Sequence, residues 1–176
     1  FVEAMIEEVR EYKVGPPEDP ETRIGALISH AHRDKVEGYL RLAVEEGGQI
    51  IAGGKRPALE GESAAGAFLQ PTLVTGLSSQ CRTVQEEIFG PVLSILTFRS
   101  PEEAVAQANN TPYGLSAGIW SDKGSKIFSI AGALRAGVIW GNTYNKFDPG
   151  SPFGGYKEGG FGREGGLHGL LPYINL

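Results

Sequence analysis

Gly90-Pro91-Val92-Leu93-Ser94-Ile95-Leu96-Thr97-Phe98-Arg99-Ser100-Pro101-Glu102-Glu103 is the stretch that decides the fold class. Its apolar, β-branched run from Val92 to Phe98 lies between Gly90-Pro91 and Ser100-Pro101, the punctuation of a buried strand. The second pair opens a helix at once. Ser100 is an N-cap residue, Pro101 suits the first helical position because no N–H is needed there, and Glu103 completes a capping box. The spacing predicts a strand over 92–98 and a helix to about Ala108.

Downstream the unit recurs. Leu115 to Trp120 reads as a strand, Ser121 as the cap of a helix carrying Ile127, Phe128, Ile130, Ala131 and Leu134, and Val138-Ile139-Trp140 as a buried strand. Upstream, Phe68 to Thr75 reads as a strand that Pro71 places at an edge or a bulge. Residues 53–67 are a Gly-, Glu- and Ser-rich surface loop, and Gln49-Ile50-Ile51-Ala52 is a short strand. Ser29 caps a helix whose apolar face is Val36, Tyr39, Leu40, Ala43 and Val44, stopped by Gly47-Gly48. Strands alternating with helices imply an α/β fold with a largely parallel sheet. Phe1 to Val9 is already helical in pattern, with neither an initiator methionine nor a cap, so a piece of a longer chain is expected; Gly15-Pro16-Pro17 ends that helix.

Composition narrows the function classes. The 176 residues carry 16 basic and 21 acidic side chains, a net charge of −5 with no Lys/Arg cluster, which gives no counterion-release drive toward nucleic acid. No stretch reaches the roughly 18 apolar residues of a membrane helix, so no membrane partner is expected. Cys81 is the only cysteine, which excludes an intrachain disulfide and multi-thiolate metal sites and makes a cytoplasmic or organelle-matrix location the expectation. Glycine is in excess, and 10 of the 26 fall between 141 and 176, which rules out a helical bundle there because each helical glycine costs about 0.5–1 kcal/mol. A Gly/Pro/aromatic loop is expected from Gly141 to Gly166, then a short helix over Leu167 to Leu171.

Within that loop Gly160-Phe161-Gly162-Arg163-Glu164-Gly165 fits G-x-G-x-x-G. A phosphate cradle needs a strand just before the glycines and a helix opening at them. Gly154 to Gly159 is no such strand, and Glu164 would set a negative charge beside the phosphates. Cys81 has no glycine-rich elbow and no local histidine, so it reads as an inert small residue. His30 and His32 are two apart and diverge on a helix, so no metal site is expected. Asn109-Asn110-Thr111 fits a glycosylation pattern without any sign of secretion. More informative is Gln85-Glu86-Glu87-Ile88-Phe89-Gly90-Pro91-Val92, where two carboxylates and an aromatic precede a turn into a buried strand. α/β proteins display ligand groups at such junctions.

Three ordered motifs then carry a resemblance. Glu86-Glu87-Ile88-Phe89-Gly90-Pro91-Val92, Ala108-Asn109-Asn110-Thr111-Pro112-Tyr113-Gly114-Leu115-Ser116-Ala117-Gly118 and Ser151-Pro152-Phe153-Gly154-Gly155-Tyr156-Lys157-Glu158-Gly159-Gly160-Phe161-Gly162-Arg163-Glu164-Gly165 closely resemble the NAD(P)-dependent aldehyde dehydrogenases. Ile24 to Ser29, Ala31 to Val36 and Gly53-Gly54 extend the likeness over essentially the whole chain.

The resemblance implies that residues 1–176 are the C-terminal portion of a catalytic domain whose Rossmann-type cofactor domain, nucleophilic cysteine and general-base glutamate lie upstream. In the family a cysteine thiolate attacks the aldehyde, hydride passes to nicotinamide, and a glutamate-activated water hydrolyses the thioester. Residue by residue, Glu87 matches the carboxylate that accepts from the nicotinamide ribose hydroxyls and Phe89 the ring packed beside the nicotinamide. Lys35 matches a residue reaching the adenosine ribose, with His32 one turn earlier. Phe147 and Phe153 match aromatics of the substrate tunnel, and Glu164 a buried glutamate that relays protons toward the deacylating water. Gly159-Gly160 departs from the usual Ser-Gly. The ending Pro172-Tyr173-Ile174-Asn175-Leu176 stands where relatives continue into an inter-subunit strand.

The expected function is aldehyde oxidation with NAD or NADP in the parent enzyme. The isolated chain is expected to be inactive and to bind no cofactor alone, its partners being an aldehyde and the missing N-terminal portion or another subunit. The alternatives are a non-catalytic pseudoenzyme or interaction module of the same fold and a stand-alone nucleotide binder, which rests only on the glycine pattern.

Overall fold

The computed structural model describes residues 1–174, and the chain divides into two compact units, Phe1–Leu96 and Thr97–Leu176. Asn175 and Leu176, the end of the stretch expected to stand where relatives continue into a strand, lie outside the described residues. Both units mix helices with strands, as the α/β expectation requires, but the strands form three small sheets with two parallel and two antiparallel pairings rather than one largely parallel sheet.

The first unit contains α1 (Val2–Glu11), α2 (His30–Glu45), β1 (Gln49–Ala52), β2 (Thr72–Thr75), a helical turn α3 (Arg82–Gln85) and β3 (Val92–Ser94). Ser29 caps α2, its hydroxyl accepting from the His32 amide at 3.1 Å. Val36, Leu40 and Ala43, at i, i+4 and i+7, are the buried stripe of that helix. Val36 and Leu40 pack with Leu69 and Ile88, and Ala43 with Val74 and Leu77. Full burial of each large member contributes about 1.5–3 kcal/mol. Val44, expected on this face, is instead exposed. The sheet runs β1-β2-β3, with β1 antiparallel and β3 parallel to β2.

Two expectations change here. Pro71 does not put its strand at an edge: β2 is central, and pairing begins one residue later at Thr72, because proline has no N–H for a ladder. Phe68 and Leu69 are buried without strand pairing. The long strand over 92–98 shrinks to Val92–Ser94, paired as Thr72↔Val92, Leu73↔Leu93 and Val74↔Ser94. The neighbour ends at Thr75, so the residues beyond Ile95 have no ladder to join.

The second unit contains α4 (Pro101–Asn109), β4 (Tyr113–Gly114), β5 (Ser116–Ile119), α5 (Gly124–Ala133), β6 (Val138–Gly141), β7 (Tyr156–Lys157) and α6 (Gly166–Leu170), followed by a 3-10 turn over Leu171–Tyr173. The cap of α4 forms as predicted: Ser100 accepts from the Glu103 amide at 3.2 Å, and the Glu103 carboxylate accepts from the Arg99 amide at 2.8 Å. α5 is the crossover between the parallel strands β5 and β6. Ser121 does not cap it. Its hydroxyl accepts from the Lys123 amide at 3.2 Å, and the helix starts after Lys123 with no side-chain cap. Tyr156-Lys157, expected to be irregular, forms β7, antiparallel to β4.

Candidate functional site

In the first unit, α3 and the loop into β3 deliver Glu86 through Gly90. Cys81 occupies the N-cap position of α3 without a side-chain hydrogen bond. Glu46, at the end of α2, caps from outside, accepting from the Arg82 amide (2.8 Å), the Thr83 amide (3.1 Å) and the Thr83 hydroxyl (2.7 Å). Burial pushes the Glu46 carboxyl up, and these donors outweigh it, holding the group below its ordinary value.

The two adjacent carboxylates have different surroundings. Glu86 accepts from Arg82 Nε at 2.6 Å, Arg82 Nη2 at 3.0 Å and the Tyr39 hydroxyl at 2.8 Å. The Arg82 guanidinium, with Tyr39 second, lowers its pKa to about 2. Glu87 is exposed and takes no part in this network. Ile88 is buried among Val36, Leu40 and Leu69, while Glu87 and Phe89 on either side of it are exposed. Phe89 is 74% exposed and has a left-handed backbone, φ 57°. A Cβ on Gly90 would come within 2.7 Å of Val36 Cγ2, so only glycine lets the loop close onto α2. From the same face of α2, Lys35 Nζ donates to the Glu87 carbonyl at 3.5 Å and His32 Nε2 to the Phe89 carbonyl at 2.6 Å. A depression of about 370 Å³, lined in part by Thr83, Glu87, Phe89, Val92 and Leu96, adjoins this loop.

The second unit carries an aromatic chain. Trp140 is edge-on to Tyr144 (4.9 Å between centroids) and Phe147 (5.6 Å), and Phe147 is edge-on to Phe153 (5.0 Å). Trp140 donates its indole N–H to the Lys146 carbonyl at 2.8 Å, which fixes the loop bearing Phe147. Phe153 and Glu164 exchange both backbone hydrogen bonds, at 2.7 and 2.8 Å. Lys157 Nζ donates to the Asn109 and Thr111 carbonyls at 2.9 and 3.0 Å. Arg163 donates to the Gly155 carbonyl at 2.9 Å and lies 5.4 Å from the Tyr156 ring centroid. Gly160 to Gly165 therefore sits between a two-residue strand and a five-residue helix, its Glu164 tied to Phe153.

Lys35, Glu87 and Phe89 are thus neighbours in one unit, and Phe147, Phe153 and Glu164 in the other. Glu164 departs from the expectation of burial: it is exposed. Cys81 packs against the Ala43, Val74 and Leu77 cluster, in line with its reading as a small apolar residue. Sequence reasoning missed Glu46, Arg82 and Tyr39, because their partners lie 36 to 47 residues away or, for Arg82 with Glu86, form only once α3 exists. Among the described residues no three His, Cys, Asp or Glu side chains gather to hold a metal ion, and no helix is long and apolar enough to cross a membrane.

The sequence pattern of the aldehyde dehydrogenase family matches residues 1–176. A 2-hydroxymuconic semialdehyde dehydrogenase of Pseudomonas sp. (strain CF600) is 46% identical over 163 residues, 93% of this chain and 34% of its own. A betaine aldehyde dehydrogenase of Bacillus subtilis is 42% identical over all of this chain and 36% of its own. A crystal structure of betaine aldehyde dehydrogenase from Staphylococcus aureus in complex with NAD+ is 38% identical and superposes with a TM-score of 0.93, covering 99% of this chain and 34% of that one. The chain spans about a third of the length of these relatives. The match of all 176 residues, at these identities and with this fold, shows that the chain belongs to the aldehyde dehydrogenase family.

Proposed function

We propose that this chain is the C-terminal portion of the catalytic domain of an NAD(P)-dependent aldehyde dehydrogenase, and that it contributes residues to the oxidation of an aldehyde to a carboxylic acid. The observation that carries the reading is the outward pairing of Glu87 and Phe89 around the buried anchor Ile88. The residues fit a nicotinamide nucleotide. Glu87 is an acceptor-only carboxylate outside the Arg82 network, suited to ribose hydroxyls, which donate. Phe89 offers an exposed ring to a flat heterocycle. Lys35, whose ammonium donates to the Glu87 carbonyl, is the residue we assign to the second ribose. When bound, the nucleotide supplies the hydride acceptor; the protein groups hold and orient it.

Phe147 and Phe153 desolvate the aldehyde, their edge-to-face contact keeping both rings in place. Glu164, held in register with Phe153 by the backbone bridge, moves a proton toward the water that ends the cycle. The thiolate and the general base of the family's chemistry are assigned to the upstream portion, whose docking the exposed Trp120 and Phe128 side chains favour. The lone Cys81 favours a cytoplasmic setting. The NAD+ complex of the Staphylococcus aureus relative supports NAD as cofactor of the parent.

The test is a steady-state assay of the chain alone with NAD, NADP and a panel of aldehydes. No turnover is expected. Turnover that survives Cys81→Ser would overturn the assignment of the chemistry to upstream residues.

A further inference from the structure

We propose that His32 is a positioning residue that fixes the Phe89 ring through the Phe89 carbonyl, acting on the nucleotide site without touching the nucleotide. The inference rests on the reading of Phe89 as the ring beside the nicotinamide. Four observations converge on it. His32 Nε2 is 2.6 Å from the Phe89 carbonyl oxygen. A carbonyl only accepts, so Nε2 carries the hydrogen. Phe89 has φ 57°, a left-handed conformation disfavoured for any residue with a Cβ, so the loop needs an external tie to stay there. The imidazole also lies edge-on to the Phe89 ring, 6.1 Å between centroids and 67° between planes, which limits how the ring turns. His32 is itself held, because its amide is the one that donates to the Ser29 cap at 3.1 Å.

The geometry makes α2 a rigid bracket. Lys35 ties the Glu87 carbonyl, His32 ties the Phe89 carbonyl one turn away, and Ile88 between them is buried against Val36 and Leu40 of the same helix. The exposed Phe89 ring has no core packing to set its direction, so the bracket sets it.

The experiment is a double-mutant cycle in the complete enzyme that carries this chain: His32→Ala, Phe89→Ala, the pair together, and His32→Gln. The readouts are the NAD dissociation constant, the KM for the aldehyde, and Tm. The clasp predicts that His32→Ala weakens NAD binding roughly three- to tenfold, the size of one lost hydrogen bond, with the aldehyde KM unchanged. His32→Gln, whose amide also donates, recovers most of the affinity. In the Phe89→Ala background, His32→Ala adds nothing further. Fully multiplying effects would overturn the inference by making His32 a direct nucleotide contact, and so would an unchanged dissociation constant in His32→Ala. An unchanged dissociation constant in Phe89→Ala would overturn the nicotinamide reading of Phe89 itself, a separate failure. His32→Asn, polar but too short to reach, behaves as alanine does and replaces it in the cycle should the alanine variant not fold.

Discussion

Glu86 and Glu87 are chemically identical neighbours to which folding gives different surroundings. Glu86 is held by Arg82 and Tyr39, which tie α3 and the middle of α2 to the loop, whereas Glu87 is exposed. The lowered pKa of Glu86 carries a definite sign. Its carboxyl titrates near 4.5 unfolded and about 2 folded, so its stabilisation is complete above the unfolded value and is lost as pH falls through the folded one. Glu86→Gln is expected to lower Tm at neutral pH and to flatten the fall of Tm between those two values, as thermal melts across that pH range will read. Glu87→Gln should leave Tm within error of wild type and weaken NAD binding in the parent enzyme, which a parallel titration checks. The motif itself is legible in the sequence, but the different surroundings of the two carboxylates are not, since they depend on Tyr39, 47 residues from Glu86.

At the scale of elements, local signals located most segments and tertiary partners set their lengths. The caps at Ser29 and Ser100 formed as their chemistry predicts, because an N-cap satisfies its own helix. Strand 92–98 was overextended because an apolar run shows where a strand can form, while its partner decides how far it pairs; β2 ends at Thr75. Ser121 misled because its hydroxyl serves a turn amide two residues on instead of a helix. Glycine shows the same contrast between local and tertiary roles. A Cβ on Gly137 would lie 1.6 Å from the Gly154 carbonyl oxygen, backbone that cannot yield. Gly137→Ala should therefore destabilise by at least the roughly 1–3 kcal/mol of an overpacked core. Within α2 a Cβ on Gly38 meets only the tip of Arg41 at 3.8 Å, so Gly38→Ala should stabilise by about 0.5–1 kcal/mol, the helix-propensity difference. Urea unfolding of the two variants reads both signs.

For the whole molecule, the distribution of core matters most. The first unit buries Val36, Leu40, Leu69, Leu73, Val74 and Ile88, among others, whereas the second has Ile119 and Trp140 as its buried apolar residues among those described, with Trp120, Phe128 and Phe161 exposed. Separately produced, residues 1–96 should melt cooperatively, and residues 97–176 should show no cooperative transition by circular dichroism. The alternation of strands and helices made the α/β class legible, yet the weakness of the second core was not, because Ile127, Phe128 and Leu134 keep a core-like spacing without becoming buried. The exposed apolar groups of the second unit are the surface on which the proposed docking of an upstream portion rests. The most direct test mixes this chain with the complementary upstream two-thirds of an aldehyde dehydrogenase relative and follows NADH formation from an aldehyde. The account predicts no oxidation by either piece alone and oxidation when they are combined, lost again when the chain carries Glu87→Gln and Phe89→Ala together. Oxidation by this chain alone, or a stable complex of the two pieces that remains inactive, would contradict it.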